Sequence, residues 1–354
     1  MEQKTPPTLA LLYLTAHMAE SIETIPNVVV RTQVKTVNRI TSREWMIHGS
    51  LFILTLVTTT FAGIILVAPN LKVPEPPLTG FLNYLLYVPR TYFWNIGSLL
   101  EFAFFHRQIL AEGVTFSLAL LAILFAHEMG HYVACRRYGV GATLPFFIPA
   151  PPLFLAGTFG AFIKIRTPIP SRRALFDIGL AGPIAGFVIA LPVAVIGVLH
   201  TQPPLVATGS EIVFNDPLLM RLLAKALGIN LDPYSPINPY YMAAWIGLLV
   251  TSLNLMPVGQ LDGGHGVFAV FGARAHRLVG RLAFVSIAVL AVLGLLWHGS
   301  PSGFLFVVLL GIMQRVGHPQ PVQMEPLGMR RIVVAILTLL IFCLSFYPFP
   351  FTLT

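Results

Sequence analysis

The chain has 354 residues, of which 56% are hydrophobic and only 10% charged, with a mean hydropathy of +0.79. A soluble domain carries about 25% charged residues, so this much apolar side chain cannot be hidden from water; disorder, collagen, coiled coil and a disulfide-stapled secreted domain are excluded, and a multi-spanning membrane protein remains. The surplus of 22 Lys+Arg over 14 Asp+Glu, net +8, reads as membrane topology and not as nucleic-acid binding.

In chain order, Leu9–Leu14 is too short for the apolar region of a cleavable signal and polar sequence follows it, so residues 1–49 read as a cytoplasmic arm with room for one amphipathic helix. Apolar runs follow. Leu51–Pro69 is the first span, and Gly113–Tyr138 the second, interrupted by His127, Glu128 and His131. Ala174–Leu199 is the third, with Pro183 and Pro192 inside it, and Tyr240–Pro257 the fourth, with Asn254 near its end. Leu282–Trp297, Phe304–Met313 and Ile332–Tyr347 supply the rest; crossing takes about 20 residues, so the count is six or seven. Asn70–Glu112 mixes aromatic, proline and charged residues and is expected along the interface, while His200–Pro239 reads as a polar loop. In Ala161–Thr167, Ile163 and Ile165 alternate with Phe162, Lys164 and Arg166 behind Gly157 and Gly160, the pattern of a short strand or hairpin. The predicted class is an all-α polytopic membrane protein with a short membrane-associated β segment. Its divisions are an arm at 1–49, a core at 50–315, and a linker with the last span at 316–354.

With the N-terminus in the cytoplasm and seven spans, only Lys72, Arg90, Arg107, Arg221 and Lys225 fall outside, and the other 17 of the 22 Lys and Arg lie inside. That asymmetry, present loop by loop, is what the positive-inside rule requires. The expected location is a cell inner membrane, with the N-terminus and the active site toward the cytoplasm.

The chemistry concentrates in His127-Glu128-Met129-Gly130-His131. At 3.6 residues per turn the two histidines stand one above the other, where two imidazoles can grip one Zn²⁺ with Glu128 beside it to manage a water proton. Ionisable groups inside a bilayer are expensive and mark function, whereas paired packing histidines with a counter-charge have cheaper homes. A catalytic zinc needs a third protein ligand and one open position. Asp262 and His265, in Asn254-Leu-Met-Pro257-Val-Gly-Gln-Leu261-Asp262-Gly263-Gly264-His265, both qualify from the residues alone. Pro257 stops the fourth span, Gly263-Gly264 permits a tight turn, and the span exits on the same basic face that follows His131.

His127-Glu-x-x-His131 followed by Asn254-x-x-Pro257-x-x-x-Leu261-Asp262-Gly263 resembles the site-2 protease family of zinc intramembrane metalloproteases, over roughly Ser50–Leu310. The resemblance implies one zinc ion held by His127, His131 and Asp262, with Glu128 as catalytic acid and base and Asn254 steadying the oxyanion or the substrate backbone. It also implies a substrate-pairing β segment around Gly157, Gly160, Phe162 and Lys164, with Pro257 near the substrate. The implied partners are a substrate with a transmembrane helix and the lipid bilayer. The loop at 200–239 has no room for a PDZ domain and few residues follow the last span, so the likeness is to a compact branch without PDZ or CBS domains, including relatives of the plastid members. The rival classes are a zinc transporter or metal-binding channel and an inactive homologue that binds substrate helices.

The remaining candidates have plainer readings. Cys135 continues the histidine stripe but reads as a small apolar filler, and neither it nor Cys343 suggests a disulfide. Asp177 beside Arg172 and Arg173 reads as an interfacial ion pair, and Gly182-x-x-x-Gly186 as helix packing. His17, His48, His106, His200, His276, His298 and His318 read as solvated or interfacial.

Overall fold

A computed structural model of the chain describes residues 41–67, 87–151, 154–202, 212–232, 235–236, 238–316, 318 and 321–353. Residues 1–40, and with them most of the expected arm, lie outside that set. Thr41 and Glu44 start the first helix: the Glu44 carboxylate takes the Thr41 N–H (2.9 Å) and the Thr41 hydroxyl takes the Glu44 N–H (3.2 Å), a reciprocal capping box. Helix α1 (Ser42–Val67) therefore absorbs the end of the arm. Helix α2 (Tyr87–Phe105) occupies the segment expected along the interface, and α3 (Arg107–Arg137) begins six residues before the second apolar run.

After α3 the chain makes an antiparallel pair, β1 (Phe146–Pro149) with β2 (Thr158–Phe162), in the register Phe146–Phe162, Phe147–Ala161 and Pro149–Thr158. The strand expected at Ala161–Thr167 is thus displaced toward the N-terminus; beyond Phe162 only Ile165 keeps a sheet contact, an isolated bridge to Ala142. Ser171 caps α4 (Arg172–Leu199), which stays helical through Pro183 and Pro192. The loop expected at 200–239 contains β3 (Ile212–Phe214) and α5 (Leu218–Leu227). Asn238 caps α6 (Pro239–Asn254) with Pro239 at its first turn, a position where a missing N–H costs nothing. Then come α7 (Asp262–His298), α8 (Ser302–Arg315), α9 (Met329–Ser345) and β4 (Phe351–Leu353), which pairs antiparallel with β3.

Helix α7 joins the expected turn and the fifth apolar run into one element, broken only at Gly272, whose φ of 83° is not helical. The break frees carbonyls one turn earlier, and Arg172 of α4 satisfies them: its Nε donates to the Ala269 carbonyl and its Nη2 to that of Val270 at 2.8 Å.

Among the described residues, four helices are long and apolar enough to cross a membrane: Ser42–Leu66, Arg107–Arg137, Arg172–Leu199 and Asp262–Trp297. Their outward faces carry exposed Ile53, Leu54, Leu118, Phe125, Val188, Leu282, Val285 and Leu296, which suits lipid and not water. Helix α3 sits at the centre and packs on α1, α4 and α6, while α4 packs on α3, α6 and α7. Phe116, Leu120, Met242 and Trp245 fill the space toward α1, and Phe176, Leu180 and Phe268 the space between α4 and α7. One polar joint ties three helix ends. Arg331 of α9 holds Asp177 of α4 with Nε at 2.8 Å and Nη2 at 2.6 Å, and the Tyr138 hydroxyl, just past α3, also donates to Asp177. Asp177 is therefore not paired with its neighbours Arg172 and Arg173; Arg173 reaches the Pro326 carbonyl (2.8 Å) and Glu325 (3.3 Å) instead.

Candidate metal centre

Helical periodicity sets His127 and His131 one turn apart on α3, with their Nε2 atoms 3.1 Å from each other. The turn after α6 then brings in Asp262, the first residue of α7, whose Oδ2 lies 3.2 Å from His127 Nε2 and 3.3 Å from His131 Nε2. The histidines are buried and Asp262 half-buried, and they form the one group of three metal-ligating side chains among the described residues. The positive end of the α7 dipole lies behind the carboxylate.

The donor chemistry fits a cation. His131 Nδ1 is 2.7 Å from the Ile178 carbonyl of α4. A carbonyl only accepts, so Nδ1 carries the proton and Nε2 turns its lone pair inward. Two imidazole nitrogens and a carboxylate oxygen converging this closely repel one another unless a positive charge sits among them. Tetrahedral coordination at ~2.0–2.1 Å sets ligand atoms about 3.3–3.4 Å apart, close to the three distances observed.

Glu128 is buried beside the group and not part of it, and the Ile163 backbone lies near its carboxylate. That contact brings the end of β2 to the edge of the site. Asn254, the last residue of α6, sets its amide nitrogen 3.3 Å from His127 Nε2. Pro257 lies in the turn between α6 and α7. Of the other substrate-segment candidates, Phe162 is exposed and stacks on Phe146 with ring centres 5.3 Å apart, and Lys164 is exposed beyond the strand, its backbone bonded to Thr143. Gly157 is buried against α1, where a β-carbon would strike the Thr58 and Thr59 backbone, while Gly160 has open space.

His265 points elsewhere. Its Nδ1 is 2.9 Å from His318 Nε2, and His318 stacks on Phe268 beside His276, whose Nε2 donates to the Gly259 carbonyl at 3.1 Å. His48 and His276, read as solvated or interfacial, are buried and so not solvated. Gly259 (φ 56°) makes the turn expected of Gly263-Gly264. Those two lie in the first turn of α7, where any β-carbon would strike the carbonyls of Leu255 and Gly259. Cys135 is fully buried in the apolar cluster and not in the group.

Two features went unread in the sequence. The Ile178 carbonyl orients His131, and no side-chain pattern announces a carbonyl. Gly182 and Gly186 are where α4 makes room for the imidazoles: a β-carbon at 182 would overlap the His131 ring, and one at 186 would meet His127 Cβ at 3.2 Å. Their spacing was visible, but it reads as packing until the facing residues are known.

The model of Peptidase family M50 matches residues 115–296, just over half of the chain, and includes every residue of the group. The chain belongs to this family, the site-2 protease family. It is 34% identical over 266 residues to the probable zinc metalloprotease EGY2, chloroplastic, of Arabidopsis thaliana, covering 71% of this chain and 45% of that protein. It is 36% identical over 184 residues to the probable zinc metalloprotease EGY1, chloroplastic, of Oryza sativa subsp. japonica, covering 49% of this chain and 31% of that protein. The chain thus spans less than half the length of these relatives. No solved structure matches it.

Proposed function

We propose that the chain is a zinc-dependent intramembrane endopeptidase, hydrolysing peptide bonds in or near the transmembrane helices of membrane-anchored substrates in regulated intramembrane proteolysis. One observation carries the reading: His127 Nε2, His131 Nε2 and Asp262 Oδ2 stand 3.1–3.3 Å apart among apolar helices, with a buried carboxylate next to them. Family membership and the names of the relatives support zinc as the ion. Bound there, zinc would polarise the scissile carbonyl and lower the pKa of water to about 7.

The chain's own residues do the rest. Glu128 takes the proton of the attacking water and returns it to the leaving amine. Asn254, beside His127, offers its N–H to the substrate carbonyl as negative charge builds on it. A substrate helix hides its amides in its own hydrogen bonds and must unwind before cleavage. The β2 edge offers replacement bonds by strand addition, and the nearness of Ile163, just past β2, to Glu128 supports delivery of that strand to the base. Gly160, Phe162, Lys164 and Pro257 lie along this approach in the proposal.

The topology that goes with this function has six or seven spans, α6, α8 and α9 crossing beside the four longer helices. It has a cytoplasmic arm at 1–49, a protease core at 50–315 and a last span within 316–354. The N-terminus and the site face the cytoplasm, an orientation that rests on the charge asymmetry, and the proposed membrane is a cell inner membrane.

The test is Glu128→Gln. Purified from membranes, the variant is expected to keep one zinc per chain by elemental analysis and to cut a tagged membrane peptide about 10²–10⁴-fold more slowly. Near-normal cleavage would remove Glu128 from the mechanism. Zinc flux into proteoliposomes without cleavage by the wild type would favour a transporter, and binding of the peptide without cleavage an inactive homologue.

A further inference from the structure

On the flank of α3 next to the histidine stripe, α3 and α4 leave a groove of about 880 Å³, closed at one end by α9. At 3.6 residues per turn, Glu128 falls on one side of the histidines, and Ala126, Gly130 and Val133 on the other. The groove therefore lies away from the side on which the carboxylate and β2 meet. Its walls are apolar, with Ala126, Met129 and Val133 from α3 facing Leu180 and Ile184 of α4.

Its mouth is basic. Arg331 and Asp177 neutralise each other there through two hydrogen bonds. Arg137, also at the mouth, is exposed and makes no hydrogen bond or ion pair with any described residue. Arg136 and Arg330 sit exposed on the same helix ends. From Arg137 down to Ala126 the wall runs ~16 Å at 1.5 Å per residue, and one leaflet of a bilayer is about half of a ~30 Å hydrocarbon core. An unneutralised cation at the interface above an apolar slot one leaflet deep matches a lipid with a negative headgroup, the usual occupant of basic pockets between membrane helices.

We propose that this groove binds one anionic phospholipid, its phosphate on Arg137 and an acyl chain along the α3–α4 wall. The test uses the full chain in detergent, offered equal amounts of phosphatidylglycerol and phosphatidylcholine and read by native mass spectrometry. One phosphatidylglycerol is expected to stay bound in preference to phosphatidylcholine. Arg137→Gln should lower its retention about fivefold, the weight of one interfacial cation. Arg107→Gln, at the far end of the same helix, should leave it unchanged. Ala185→Trp fills the slot and should abolish retention; should that variant misfold, Val133→Trp, whose native side chain is 50% exposed, reports from the opposite wall. Equal retention of the two lipids, an equal loss from Arg107→Gln, or lipid still held by a folded tryptophan variant would overturn the proposal. Cysteine cross-linking from position 133 to a second copy or to a substrate helix, in place of lipid, would also overturn it.

Discussion

The imidazole of His131 occupies the space that a side chain at residue 182 would need: a β-carbon built on Gly182 overlaps its Nε2, Cδ2 and Cε1 atoms. His131 cannot yield freely, because its Nδ1 is held 2.7 Å from the Ile178 carbonyl one turn earlier on the same helix, α4. Gly182→Ala should therefore act on the metal group before it acts on the fold. We expect zinc affinity to fall roughly 10–100-fold, the range seen when a ligand's support is lost, with cleavage falling alongside. Gly186→Ala, which meets His127 Cβ only at 3.2 Å, should do less. Zinc competition with a chelator ranks the two, and equal effects would show that space at Gly182 does not set the imidazole.

The triangle of Nε2, Nε2 and Oδ2 makes Asp262→Asn and His265→Ala opposite experiments. The amide at 262 keeps the shape but removes the negative charge that would face the ion in the proposed site, so zinc retention should drop roughly 100-fold. His265 faces His318 at 2.9 Å, so His265→Ala should leave the zinc in place and lower the melting temperature. Elemental analysis of both variants decides it; zinc lost from His265→Ala and kept by Asp262→Asn would reassign the third ligand.

How far the site could be read from sequence depended on whether local spacing determines geometry. It does for His127 and His131, since one helix turn leaves no choice of face. It does not for Asp262 against His265, three residues apart at the start of one helix, where the approach angle of α7 to α3 decides. Asp177 was matched to Arg172 and Arg173 because they are near in sequence, but α9 brings in Arg331 from 154 residues away. The strand was expected three residues late because the alternation of Ile163 and Ile165 is real but carries only an isolated bridge, Ile165 to Ala142; the partner Phe146–Pro149 meets Thr158–Phe162 instead. Helix α5 lay in a stretch read as polar loop, although Leu218, Leu219, Leu222 and Leu223 recur at helical spacing, with Arg221 between the pairs and Lys225 after them.

The break at Gly272 and the Arg172 side chain form one unit, and two substitutions should expose it. Gly272→Ala puts a side chain at φ 83° and ψ 178°, costing about 1–3 kcal/mol. Arg172→Met leaves the Ala269 and Val270 carbonyls without their donor, and an unsatisfied buried acceptor costs about 1–3 kcal/mol. Arg173→Met, which loses a half-exposed ion pair with Glu325, should cost no more than about 1 kcal/mol. Thermal melts in detergent are expected to rank Arg172→Met well below Arg173→Met; equal melting temperatures would mean that water serves those carbonyls as well as the guanidinium does.

Asp177 and Arg331 carry the joint of α3, α4 and α9, and a double-mutant cycle can weigh it. Arg331→Met removes both donors from a carboxylate that is only 30% exposed, leaving the Tyr138 hydroxyl as its one partner among the described residues. Asp177→Asn leaves the guanidinium free to turn to solvent or to the Leu327 carbonyl, 3.2 Å from its Nη1. Arg331→Met should thus be the more destabilising single change. The double variant should lie above the sum of the two, with a coupling of about 0.5–3 kcal/mol. Additive losses would mean that the two side chains act independently and that the end of α9 is held by its apolar packing alone.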